Sequence, residues 1–210
     1  MSEILKALEW RYATKKFDAN HNLTDDKIAV VKKAFNLTAS SFGLQPVKLV
    51  IIHNQKLQDD LVSVSMNQQQ VADASHVLVF CIEKNIDLSY IEAYFKNVKD
   101  IRDTPDEILQ PYRSYLHSHF EKESPEAIDS WATKQAYLAM GNLLTICAIE
   151  KIDACPMEGF NTERYDELLH LSEKGLSSVL VMPIGYRAED DMFADFKKVR
   201  KALGEAVIEF

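Results

Sequence analysis

Residues 124–150 read SPEAIDSWATKQAYLAMGNLLTICAIE, and the shape of the molecule turns on them. Ser124, Pro125 and Glu126 are three helix-start signals in a row: an N-cap hydroxyl, a proline at the first helical position and an acid in the first turn. The helical pattern continues to about Glu150, which makes a rod of roughly 37 Å at about 1.5 Å per residue. From Ala136 to Ile149 the pattern is apolar nearly all round, with Tyr137, Leu138, Met140, Leu143, Leu144, Ile146 and Cys147 spread over every face. A helix apolar on every face must be covered on every face. A chain of 210 residues is too short to surround so long a helix by itself, so part of it is expected to pack against a second copy.

Outward from this helix the strands are few. Val47–His53 (VKLVIIH) is a β-branched run that follows a turn-rich loop at Ser40–Pro46. Ser75–Ile82 (SHVLVFCI) and Ser177–Gly185 (SSVLVMPIG) are apolar with almost no alternation and read as buried strands. The short run Ala206–Phe210 is the candidate for a fourth. Helical spacing marks residues 2–12, 88–103 and 105–122, a segment from about 25 to 38 capped by Thr24, and a shorter one near 55–64. Few strands among many helices, without regular alternation, indicate an α+β fold: a small mixed sheet wrapped by helices around a long buried one. No repeat, linker or low-complexity tract divides the chain, so residues 1–210 are expected to form one domain.

Composition narrows the function. With 47% hydrophobic and 27% charged residues the chain is an ordinary soluble globular protein. A net charge of -8 argues against a nucleic-acid surface, which needs a basic excess. Cys81, Cys147 and Cys155 are odd in number and form no C-x-x-C, so a disulfide framework and a zinc knuckle are not expected. No apolar run approaches the roughly 20 residues that span a bilayer. The first residues lack the apolar core of a signal peptide, and a cytoplasmic location without membrane contact is expected. No glycine-rich dinucleotide or phosphate loop, nucleophile elbow or H-E-x-x-H occurs. His117 and His119, two apart on a helix, point to different sides and would not share a metal.

Four clusters remain, each ordinary alone. Arg11-Tyr-Ala-Thr-Lys15-Lys16-Phe17 ends the first helix, where cations suit the dipole in any case. Ser40-Ser41-Phe42-Gly43-Leu44-Gln45-Pro46 is rich in turn formers, and its hydroxyls can also present donors to an anion. Ala154-Cys155-Pro156-Met157-Glu158-Gly159-Phe160 follows the long helix as a constrained turn around one acid. Lys197-Lys198-Val199-Arg200-Lys201 is an anion site or a solvated charge run.

Their order and spacing, together with Asp73-Ala-Ser-His-Val77 and Lys134-Gln-Ala-Tyr-Leu138, resemble the bacterial oxygen-insensitive nitroreductases over essentially the whole chain. That resemblance implies a nitroreductase-like fold, an intertwined homodimer and FMN bound without a covalent link at the interface. It implies that Arg11, Lys198 and Arg200 hold the phosphate, with Tyr12 and Ala13 in the same region. Guanidinium forks suit phosphate oxygens. Lys15 would reach the pyrimidine end of the flavin, where a cation favours the reduced form. Asn67 and Gln70 would lie at the same ring edge. Pro156, Met157, Glu158 and Gly159 would lie against the isoalloxazine, and Ser40, Ser41 and Gly43 would come from the other subunit. Glu158 is adjacent to the flavin but no protein group is required as nucleophile or base. The implied reaction is a ping-pong transfer of hydride from NADH or NADPH to a nitroaromatic or quinone-like small molecule. Flavin reductase, dihydropteridine or enone reductase activity on the same fold, or flavin binding without turnover, are its alternatives. The chain departs from the family pattern at Gly43 (often Asn), Val47 (often Trp) and Gln70 (often Lys).

Overall fold

A computed structural model describes residues 2–210. Helix α1 (Glu3–Trp10) starts at Ser2, whose hydroxyl accepts the Leu5 N–H, and α2 (Asp25–Asn36) follows a loop. After a 3-10 turn at Ser41–Gly43 the chain enters strand β1 (Val47–Ile52). Helices α3 (Gln55–Val62) and α4 (Gln70–Asp73) lead to β2 (His76–Glu83). A helical hairpin, α5 (Leu88–Arg102) and α6 (Asp106–Phe120), precedes the long α7 (Pro125–Ile149). Then come β3 (Asp153–Ala154), α8 (Thr162–Leu168), β4 (Leu176–Gly185) and the short α9 (Leu203–Ala206).

The strands form one sheet in the order β1-β2-β4-β3, and every named pair is antiparallel. The expected mixed sheet is corrected to this extent: its parallel component is a single bridge between Ala13 and Ala154. The expected strand at 206–210 is also absent. Val207 has an extended backbone but pairs with nothing among the described residues, and the fourth strand is β3 instead. The α+β class stands.

Both faces of the sheet are covered, which explains why β2 shows no alternation. Leu78 and Phe80 point to one face, where Leu180, Met182 and Ile184 of β4 meet Ala136, Ala139, Met140, Leu143 and Cys147 of α7. Val77, Val79 and Cys81 point to the other, against Leu61, Val71 and Tyr165 from α3, α4 and α8. The α5–α6 hairpin closes a third cluster through Ile91, Phe95, Leu116 and Phe120. A buried strand needs no polar face, so its sequence carries no period of two.

Helix α7 buries one stripe, and its apolar surface continues beyond it. Tyr137 is 47% exposed and Leu138 50%. The chain after residue 192 is also largely uncovered, with Phe196, Val199, Leu203, Ile208 and Phe210 exposed. None of the helices among the described residues is long and apolar enough to cross a membrane.

Candidate functional site

The site lies where the end of α1 and the chain after α7 run beside the sheet edge. Arg11 leaves α1 with an extended backbone. The following residues then add to the edge: Thr14 N–H donates to the Ala154 carbonyl at 3.3 Å, and Phe17 bridges Arg187. Past β3 the chain stays on β4, with Cys155 N–H donating to the Pro183 carbonyl (3.0 Å) and Met157 N–H to that of Val181 (2.8 Å). The turn Pro156–Gly159 is therefore fixed to the sheet by backbone bonds and does not depend on its own side chains.

At Gly159 this turn meets the loop after α3. A Cβ there would sit 3.1 Å from Met66 Sδ and 3.3 Å from Gln68 Nε2, while Gln68 Nε2 donates to the Gly159 carbonyl at 2.9 Å. Met66 and Asn67 both have positive φ, 55° and 56°. Asn tolerates that region better than Met, so the loop is held in a strained path by its partners. One of these is the bond from Asn161 N–H to the Val64 carbonyl, 2.8 Å.

Five cations gather at one cavity of about 340 Å³: Arg11, Lys15, Lys197, Lys198 and Arg200. Tyr12, Ala13, Phe193 and Phe196 complete its lining. None of the five has a carboxylate within ion-pair distance among the described residues; Lys198 Nζ donates to the Glu9 carbonyl at 2.6 Å. Burial and then the neighbouring Arg200 push the Arg11 pKa down from its ordinary value. Burial, Arg11 and Arg200 do the same to Lys198. Like charges held together without counter-charges raise one another's energy, and an anion among them relieves it. A phosphate group fits the donor set.

A second cavity, about 520 Å³, lies between α7 and the constrained turn. Tyr137, Gly141 and Leu144 form one wall, and Pro156, Met157 and Glu158 the other. Tyr137 Oη donates to Glu158 Oε1 at 2.7 Å, and that bond raises the tyrosine pKa. Lys15 links the two regions, its Nζ 3.9 Å from Cys155 Sγ. Burial pushes the Cys155 thiol pKa up, against the pull of Lys15.

Of the candidate residues, Arg11, Tyr12, Ala13, Lys15, Lys198 and Arg200 line the first cavity and Pro156, Met157 and Glu158 the second; Gly159 is next in the turn, and Asn67 is exposed on the loop that meets it. Gln70 lies lower. It is buried, and its side chain turns towards Gln68 and Cys155. Ser40, Ser41 and Gly43 are elsewhere. Ser40 Oγ accepts the Gln45 N–H, Ser41 N–H donates to Gln135 Oε1, and Gly43 faces Tyr94.

Three participants escape sequence reasoning. Asp191 sits in an acidic run, and Asp153 and Arg187 are separated by 33 intervening residues. Arg187 pairs with one oxygen of buried Asp153, its Nε donating to Oδ1 at 2.8 Å with Nη2 2.6 Å from the same atom, and stacks on Trp10 and Tyr12. Asp191 accepts from Tyr12 Oη and from the Lys15 and Lys16 N–H groups. No local sequence signal marks any of the three.

Comparison with known proteins identifies the family and the fold. Residues 8–186 match the profile of the Nitroreductase family. YfkO of Bacillus subtilis strain 168, assigned as an NAD(P)H nitroreductase, is 31% identical over 98% of this chain and 96% of its own length. Among solved structures, YdfN of Bacillus subtilis superposes with a TM-score of 0.88 at 20% identity, covering 99% of each chain. A nitroreductase of Exiguobacterium sibiricum in complex with FMN gives 0.84 at 16% identity, covering 100% of this chain and 98% of its own. These two likenesses concern the fold.

Proposed function

The chain belongs to the nitroreductase family, and from that premise we propose that it is an FMN-dependent oxidoreductase. NADH or NADPH is its reductant and nitroaromatic or quinone-like compounds are its acceptors, in a ping-pong cycle. One observation carries this reading: five cations with no acidic partner among the described residues line one cavity, and the sheet-bound turn at Pro156–Gly159 lines a second. A group with an anionic end and a flat body matches both halves. The relatives' assignment to NAD(P)H chemistry supports the choice of reductant.

The residues present divide the work. Arg11, Lys198 and Arg200 hold the phosphate, with Lys197 adding charge and Tyr12 and Ala13 lining the cavity. Pro156–Gly159 and Asn67 support the ring system, with backbone bonds from Met157 N–H to the Val181 carbonyl and from Asn67 N–H to the Val62 carbonyl holding their paths. Preorganisation of this kind lowers the ordering cost of binding. Lys15 supplies a cation to the ring, which favours its reduced state. FMN, when bound, supplies the hydride chemistry itself: it takes two electrons from a reduced nicotinamide and passes them to the acceptor. The protein's part is binding, orientation and the exclusion of competing reactions.

We further propose a homodimer that completes the site. Tyr137 and Leu138 leave α7 with an uncovered apolar face, and the C-terminal arm exposes Val199, Leu203, Ile208 and Phe210. Ser40, Ser41 and Gly43, which lie away from both cavities in one chain, would reach the cofactor of the other. Arg11→Ala tests the phosphate reading. Removing a charge-assisted contact is expected to weaken FMN binding by about tenfold or more. Fluorescence titration of the apoprotein reads this directly, and unchanged affinity would take Arg11 out of the site.

A further inference from the structure

One buried carboxylate fastens the two halves of the cation cavity together. Asp191 is 5% exposed. Its Oδ2 accepts from Tyr12 Oη at 2.7 Å, Lys15 N–H at 2.9 Å and Lys16 N–H at 3.1 Å, and its Oδ1 accepts from Phe193 N–H at 3.1 Å. Three of these donors belong to the segment that carries Arg11 and Lys15. The fourth belongs to the arm that carries Lys197, Lys198 and Arg200. Beyond Asp191 the arm is tied back to the N-terminal segment by the bond from Lys198 Nζ to the Glu9 carbonyl. Asp191 forms no ion pair with any of the five cations among the described residues, so it does not neutralise them.

We propose that Asp191 is a positioning residue for the cofactor phosphate, an acid whose role is to hold two sets of cations in register around an anion. The proposal rests on the phosphate reading of that cavity. Burial disfavours the ionised acid, but the bonds from Tyr12 and from the Lys15, Phe193 and Lys16 N–H groups outweigh it and hold its pKa below the ordinary value. Asp191 is therefore a carboxylate at neutral pH, and one oxygen serves three donors at once.

Position and charge make opposite demands here, which makes the idea testable. By charge alone, an anion near a phosphate site weakens phosphate binding. Removing that charge should then tighten it. If Asp191 acts by position, removal should loosen it, because the amide of an asparagine presents N–H groups to donors on one side or the other. The backbone of residues 12–16 and the base of the arm then lose their common anchor.

The experiment is a titration of flavin-free wild type, Asp191→Asn and Tyr12→Phe with FMN and with riboflavin, which lacks the phosphate, read by flavin fluorescence, with far-UV circular dichroism as the control for folding. The expected result is an FMN affinity weakened about tenfold or more in Asp191→Asn, a smaller loss in Tyr12→Phe, and in both a riboflavin affinity that falls clearly less than that for FMN, since riboflavin can lose only the Lys15 contact. Unchanged or tighter FMN binding overturns the proposal, and so does an equal loss for the two flavins. If Asp191→Asn fails to fold, Tyr12→Phe decides by the same criterion: a loss larger for FMN than for riboflavin supports the proposal and its absence overturns it. Wild type that takes up neither flavin overturns the functional reading itself, and the proposal with it.

Discussion

A side chain at Gly43 faces two obstacles at once. Its φ is +73°, and a Cβ would lie 3.0 Å from Tyr94 Oη. This gives a physical reason for glycine where relatives of the family often carry Asn. Asn tolerates positive φ better than most residues, so the phenol is what excludes it. Gly43→Asn is expected to cost about 1–3 kcal/mol through overpacking, and part of that should return in the Tyr94→Phe background, where the obstructing oxygen is gone. A thermal-melting double-mutant cycle reads the coupling; additive effects would mean that Tyr94 is not the obstacle. Asp191 makes a pH prediction at the same scale. Its folded pKa lies below the ordinary 3.8. The stability it contributes is therefore fully present above about pH 4 and lost as the pH falls through the folded value. Asp87, Asp106 and Asp190 shift the same way at exposed positions, where such contributions are small. The gap in melting temperature between wild type and Asp191→Asn should stay constant above about pH 4 and close progressively as the pH falls below it. A gap that stays constant there too would contradict the assignment.

At the scale of elements, strong periodicity translated well and short contacts did not. The start of α7 was readable from Ser124 and Pro125, and its end falls within one residue of expectation, because capping chemistry and apolar pattern agree there. The β2 run was readable as doubly buried because nothing polar interrupts it. By contrast β3 is two residues long, and its pairing with β4 has no hydropathic signature of its own. Residues 206–210 look like a strand locally, but they find no partner among the described residues of one chain. Helix α8 carries a real start signal, Asn161 accepting the Arg164 N–H at 3.0 Å, yet it buries only Tyr165 and so shows little period. Leu138 makes the test that belongs to this scale. It is half exposed beside Tyr137 on the uncovered face of α7, so Leu138→Glu should leave the fold of a chain intact while breaking the proposed dimer. Sedimentation velocity should show monomers where wild type sediments as a dimer; a variant still dimeric would place the interface elsewhere.

For the whole molecule, the family was legible in sequence because its motifs keep their order, but the construction of the site was not. Arg11, Lys198 and Arg200 could be grouped only by resemblance, since nothing local shows that positions almost the full chain apart share a cavity. The bond between Tyr137 and Glu158 and the anchor at Asp191 depend on how α7, the sheet edge and the C-terminal arm meet. Those are tertiary facts without a sequence period. The structure also shows how a chain of net charge -8 could hold an anion: five of its 24 lysines and arginines line one cavity, and none of those five has an ion-pair partner among the described residues. Anaerobic titration of the purified, FMN-loaded protein with NADH and with NADPH, followed by a nitroaromatic or quinone, tests the central claim most directly. The account predicts that at least one nicotinamide bleaches the visible flavin band and that the acceptor restores it. A protein that takes up no FMN, or whose flavin neither nicotinamide bleaches, would contradict it.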